Sequence, residues 1–273
     1  MTAIPMPLTP ATRLWRDAPA FTGVALFIAL TALPLLAAAL IDDRTLLGAP
    51  VWQKPLQFHL ALGIYLITLA FFARFVPGGL QSPRWRMYAG VVCFCIVAEL
   101  VWVGGAASFA TASHFNTDDA VMGTVYGVMG LFALVLTSAS AVIGVAIWRN
   151  ANTGLAPALH LSVAMGLVLT FVLTLIVAGT LSSMPGHHVG TPVTGDALPL
   201  LGWSREVGDL RVGHFFATHA LHILPVAGYI AARLLAPAMA RVAVVAAALA
   251  YAGLVFGTMA QAFRGQPFLS WLG

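Results

Sequence analysis

Residues 211–235 read RVGHFFATHALHILPVAGYIAARLL. The stretch holds three of the chain's eight histidines, His214, His219 and His222, with no formal charge between Arg211 and Arg233. From residue 213 onward it is long enough, at 1.5 Å per residue, to cross about 30 Å of hydrocarbon as a helix. With His214 at zero, a turn of 100° per residue puts His222 near 80° and His219 near 140°, so the imidazoles share an arc of about 140°. His219 and His222, three apart, are neighbours on that face. A lone histidine in such a helix reads as a satisfied core residue, whereas three on one side read as a ligand set.

The remainder of the chain has the same character. Its 273 residues are 60% hydrophobic and only 8% charged, where a soluble domain carries roughly 25% charged residues. Too few polar groups exist to cover a surface facing water. The expected fold is all-α, a polytopic membrane protein forming a seven-transmembrane-helix bundle in one domain, 1–273. The spans are expected near 20–41, 56–75, 87–109, 121–148, 158–182, 213–235 and 239–262. The first follows Arg13 and Arg16, but its apolar run exceeds the roughly 7–15 residues of a signal-peptide core, so an uncleaved span is expected.

Positive charge gives the orientation. Arg13, Arg16, Arg74, Arg84, Arg86, Arg149, Arg233 and Arg241 fall on one side, opposed there by Asp17. The other side has Arg44, Lys54, Arg205, Arg211 and Arg264 against seven acids, Asp42, Asp43, Asp118, Asp119, Asp196, Glu206 and Asp209. The amino terminus is therefore expected in the cytoplasm and the carboxyl terminus outside, in a bacterial cytoplasmic (inner) membrane. Trp15, Trp85 and Trp148 at inner ends and Trp52, Trp203 and Trp271 at outer ends fit interfacial belts, while Trp102 lies off the pattern. The basic residues are scattered, with no stripe interleaved with aromatics, which excludes nucleic acid as a partner. Cys93 and Cys95, two apart in an apolar run, read as buried thiols. The partner is the lipid bilayer, and nothing in the sequence fixes an oligomeric state.

The one long connection, about 183–212, contains His187, His188 and several glycines and prolines, then a charged run through Arg205, Glu206, Asp209 and Arg211 into the histidine helix. It reads as a lid over a site or as a tether. His187 and His188 read as solvated residues or as caps of a metal site.

Ionisable groups inside a bilayer are costly and tend to be paired or functional. Counted by depth, His59, His214 and His219 form an upper layer near the outer face, with His222 and Glu99 below. Lys54, Gln57, Ser113, His114, Asn116, Arg211, Gln261 and Arg264 surround the mouth. Lys54, the chain's only lysine, either snorkels to headgroups or binds an anion. His160 reads as interfacial, Gly104 and Gly105 as sites of close helix packing, and the methionines as core filler.

Three chemistries suit these residues. In the first, a transition metal or a b-type haem binds among His59, His214, His219 and His222. For haem, His59 and His219 are the axial ligands, Gly63 leaves room for the porphyrin edge, and Lys54, Arg211 and Arg264 meet the propionates. The function is then electron transfer or oxidoreduction, with a quinol as partner. In the second, His219 and His222 with His59 or His214 hold zinc, and Glu99 is the general base of a hydrolase acting on a lipid-like small molecule. Seven-span zinc hydrolases and receptors of the ceramidase and adiponectin-receptor type draw histidines from an early and a late span. This chain departs from them: position 55 is proline where their Ser-x-x-x-His pattern has serine, and the late spacing is H-x-x-H rather than H-x-x-x-H. In the third, a non-enzyme, Glu99 and His222 are the titrating pair of a proton-coupled transporter or outward-facing sensor. The last span lacks lysine, which removes a retinal Schiff base of the rhodopsin type.

Overall fold

A computed structural model describes residues 9–117 and 119–270; Asp118 and Trp271 lie outside the described residues. Among the described residues the chain is all-α, with eight α-helices and 72% helical content. A short amphipathic helix α1 (Pro10–Asp17) precedes α2 (Pro19–Ile41), α3 (Gln53–Phe72), α4 (Pro83–Ser108), α5 (Ala120–Trp148), α6 (Pro157–Ser182), α7 (Arg211–Leu234) and α8 (Pro237–Phe263). Among the described residues, the seven from α2 to α8 are long and apolar enough to cross a membrane.

Helix starts follow local chemistry rather than hydropathy. Prolines stand in the first turn of α1, α2, α4, α6 and α8, where the missing N–H costs nothing. α4 therefore begins at Pro83 rather than at 87, because Ser82 caps it by accepting from Trp85 N–H. α3 likewise begins at Gln53, three residues before its expected start, and takes Lys54 and Pro55 into its first turn.

The chain divides into two compact units, Met1–Ala139 and Ser140–Gly273, with the boundary inside α5. In the first unit α2 lies along α3, and both touch α4. Gly63 of α3 faces Ile28 of α2, with 3.5 Å between a Cβ built there and the Ile28 side chain. A side chain there would be in ordinary van der Waals contact with α2. The first half of α5 is tied by polar bonds. Tyr65 Oη donates to the Leu136 carbonyl (2.9 Å), and Tyr88 Oη meets Ser138 Oγ at 2.7 Å. The α2–α3 connection holds a two-stranded antiparallel ribbon, β1 (Thr45–Leu46) with β2 (Ala49–Pro50), turning through Leu47 and Gly48 at positive φ. Asp42 fastens it, accepting from Arg44 and from Trp52 Nε1 (2.7 Å). The Arg44 and Trp52 hydrogen bonds hold this carboxyl well below the usual range. Cys93 and Cys95 are free and buried.

In the second unit α6, α7 and α8 pack mutually around Leu173, Val177, Ala217, Ala220, Leu224 and Val255. With lipid as solvent, such contacts depend on close approach and hydrogen bonds rather than on apolar burial. A Cβ on Gly166 of α6 meets the Ala220 carbonyl at 2.9 Å and Pro225 Cδ at 3.1 Å, and a Cβ on Gly228 of α7 falls on Ser162. Thr170 Oγ1–H donates to the Gly166 carbonyl (2.9 Å), and the same oxygen accepts Leu221 N–H from α7 (2.8 Å). Gly104 and Gly105 do not share this role: a Cβ at either meets nothing within 4 Å, which corrects the expectation of close packing there. His160 Nε2–H caps the end of α5 at the Ile147 carbonyl (2.7 Å).

The α6–α7 connection is ordered by pairing. β3 (His188–Val189) runs antiparallel to β4 (Gly208–Asp209), and Leu210 N–H donates to the His187 carbonyl (2.9 Å).

Candidate metal centre

α7 begins where Asp209 Oδ1 accepts Arg211 N–H (3.0 Å). His214 follows in the first turn, its Nδ1 buried without a hydrogen-bond partner among the described residues. One turn on, His219 Nδ1 lies 2.7 Å from the Phe215 carbonyl, with Thr218 Oγ1 at 3.1 Å. A carbonyl only accepts, so Nδ1 carries the proton and Nε2 presents a lone pair. The His219 ring stacks on Phe215 (centroids 4.0 Å apart, planes at 27°) and stands 5.3 Å from the His222 ring. Two imidazoles sharing one tetrahedral ion hold their centroids about 5 Å apart, given metal–nitrogen distances of about 2.0–2.1 Å. The ring spacing of His219 and His222 matches that of two imidazoles on one ion, and the His219 ring is already locked in orientation.

The wall beside them comes from the long connection and the carboxyl-terminal segment. Trp203 is buried and packs edge-on against Phe215 (5.2 Å) and Phe268 (5.6 Å), while Tyr251 Oη donates to the Phe216 carbonyl (2.8 Å). The connection thus folds over the first turns of the histidine helix.

Two carboxylates hold that connection in shape. Asp209, fully inaccessible as a side chain, accepts from Arg211 Nη2 (2.6 Å) and Nε (2.9 Å) and from Ser204 N–H (3.0 Å). Burial alone raises this carboxyl; the Arg211 hydrogen bonds and charge, with the backbone donors, outweigh it and hold it below its ordinary value. Glu206 accepts from the N–H groups of Val193, Thr194 and Asp196 and from Thr194 Oγ1, all at 2.7–3.0 Å. Those donors, the Thr194 and Val193 amides first, pull its carboxyl down to about 2. Arg211 is committed to Asp209 and the Gly202 carbonyl, and Arg264 is exposed at the end of α8.

His187, His188 and Asp209 form a second cluster, with one ligand atom from each lying within 4.8 Å of the others. His188 Nε2 is 3.7 Å from Asp209 Oδ2, and the two imidazole centroids are 4.1 Å apart. Burial pushes the His188 imidazole below its ordinary value, against the raising effect of Asp209.

In the first unit, His59 is buried and repeats the geometry of His219: its Nδ1–H donates to the Pro55 carbonyl four residues back (2.9 Å), leaving Nε2 as the lone-pair atom. Lys54 Nζ donates to His114 Nδ1 (3.2 Å), which also meets Ser113 Oγ (3.0 Å). Phe58 and Tyr126 flank the His114 ring, and Trp102 Nε1 donates to the Ser113 carbonyl (2.7 Å), which accounts for the tryptophan that lay off the belt pattern. Glu99 is 3% exposed, with Oε2 unpaired among the described residues.

The structure therefore brings His219 and His222 together on α7, places Lys54 against His114, and keeps Lys54, His59 and Glu99 in one unit and the α7 histidines in the other. Asp209 was visible in the sequence only as part of a charged run; its contact with His187 and His188 arises from β3–β4 pairing. No protein-family model, curated protein or solved structure matches the chain.

Proposed function

We propose that the protein is a membrane metalloprotein in which imidazoles of α7 hold a transition-metal ion or a haem, with electron transfer as its chemistry. The observation that carries this reading is His219: its Nδ1–H is fixed on the Phe215 carbonyl, its Nε2 is left to ligate, and the His222 ring stands 5.3 Å away. His214 Nδ1 on the same helix is buried without a partner among the described residues, but its ligand atoms do not gather with those of His219 and His222, so the donor set on α7 is the His219–His222 pair. His59 is set for ligation in the same manner within its own unit.

The chain's own groups supply orientation and dryness. The Phe215 carbonyl and ring fix the His219 plane, and Trp203, Phe215 and Phe268 exclude water from that side. A bound haem or redox ion supplies the electron-accepting centre. α6, α7 and α8 contain no Asp or Glu, and the carboxylate directly before α7, Asp209, is engaged by Arg211; the helix that carries the imidazoles therefore brings no free carboxylate of its own, which supports electron transfer over zinc-dependent hydrolysis. A membrane-dissolved quinol is the matching electron donor, and the charge asymmetry supports a cytoplasmic amino terminus.

An absorption spectrum with elemental analysis of the purified protein tests this. A Soret band lost in His219→Ala identifies haem. One metal equivalent without that band, lost in His219→Ala and His222→Ala, identifies an ion, zinc included. A colourless, metal-free protein with intact helical circular dichroism refutes the proposal.

A further inference from the structure

We infer that His187, His188 and Asp209 form a second metal site, separate in sequence and chemistry from α7, which takes a divalent transition ion such as zinc, cobalt or nickel and clips the 183–210 connection onto the start of α7. Two imidazoles and one carboxylate are the donor set these ions accept. In ideal strands, successive side chains point to opposite faces, yet the consecutive His187 and His188 rings lie 4.1 Å apart beside the same carboxylate. Pairing of β3 with β4 and the Leu210 N–H bond to the His187 carbonyl fix both backbones at the site.

The ligand atoms, now within 4.8 Å of one another, close to about 3.3 Å around a tetrahedral ion. Rotation of the two half-buried imidazoles supplies that movement. Asp209 stays anchored through Oδ1, which accepts Arg211 N–H (3.0 Å) and Nε–H (2.9 Å), while Oδ2 faces His188. Oδ2 now accepts Arg211 Nη2 (2.6 Å), Arg211 Nε (3.2 Å) and Ser204 N–H (3.0 Å); binding exchanges both Arg211 bonds at Oδ2 for the bond to the ion, while Arg211 Nε stays on Oδ1 and Ser204 N–H stays on Oδ2. The ion then joins residues 187 and 188 to residue 209 across about twenty residues of connection, where cross-links restrict the open ensemble.

Cobalt(II) and zinc(II) titrations of the detergent-purified full-length chain test this, with proteolysis of the connection as a second readout. The wild type is expected to show a visible cobalt band and slower cleavage between residues 190 and 205 on adding zinc. Affinity is expected to fall at least tenfold in His188→Ala and in His187→Ala/His188→Ala, with the zinc protection lost. His219→Ala is expected to keep both signals, so failure of this site and failure of the α7 reading are distinguishable. Circular dichroism, together with His188→Gln, controls for misfolding. Because an ion on α7 would give a cobalt band of its own, zinc protection of the connection decides: the inference is overturned if zinc does not slow cleavage in the wild type, if the folded double variant keeps that protection, or if His219→Ala abolishes it.

Discussion

Replacing Asp209 with alanine removes the acceptor on which the α6–α7 connection converges. Its carboxylate takes the Arg211 guanidinium, the Arg211 amide and the Ser204 amide, and its side chain is wholly inaccessible. The substitution leaves the one-third-exposed guanidinium with only the Gly202 carbonyl among the described residues and frees two backbone donors; losing one partner of a buried ion pair costs about 3–5 kcal/mol. At about 1.4 kcal/mol per factor of ten, local opening of the connection rises by roughly a hundredfold to a few thousandfold. Hydrogen exchange read by mass spectrometry follows this directly: peptides covering 186–210 lose protection, while those from the middle of α6 and α8 do not. Asp209→Asn keeps an acceptor and the shape, so it falls between alanine and wild type. Exchange in 186–210 unchanged within threefold in the folded alanine variant refutes the role assigned to Asp209.

The Glu206 carboxyl, pulled down to about 2, lies below its free value of about 4.3, so its contribution is fully present above that value and is lost as pH falls through about 2. Acid-stable protease cleavage near 193–196 should therefore rise across that window in the wild type, and Glu206→Gln should remove most of the pH dependence. Gly228→Ala drives a methyl into Ser162, a residue with no exposure, and should destabilise the α6–α7 pair by about 1–3 kcal/mol. Thermal unfolding in detergent should show the loss, and Ser162→Gly added to Gly228→Ala should restore much of it. Thr170→Val removes the hydroxyl that accepts Leu221 N–H; interhelical hydrogen bonds in membranes average about 0.6 kcal/mol, so a small fall in the same assay is expected, with no effect on α2–α4.

Seven spans were legible because each carries its own hydropathy signal, sufficient without any tertiary contact. Their starts were less so, since Ser82–Pro83 sets where α4 begins through capping that no hydropathy window registers. The histidines of α7 could be placed on one helical face from spacing alone, but the locking of His219 onto Phe215 depends on a rotamer. Small residues misled the reading for a related reason: Gly104 and Gly105 look like packing sites in a string, whereas Gly166 and Gly228 are the ones with a neighbouring backbone or side chain in the way. Asp209 escaped notice because a loop carboxylate is ordinarily solvated, and only the pairing of residues 188–189 with 208–209 buries it.

That pairing bears on how the protein is made. The α6–α7 hairpin is zipped at Ser162–Gly228 and at Thr170–Leu221 within the apolar layer, and at β3–β4 beyond it. The first two seams form only when both helices are in the bilayer. The third forms only once the connection between the two helices, residues 183–210, has folded on its side of the bilayer. Biogenesis of this half of the chain therefore ends with the ribbon, and a defect in Asp209 or Glu206 should leave a fully inserted hairpin whose final fastening fails, recognised by quality-control proteases on the side where the connection lies.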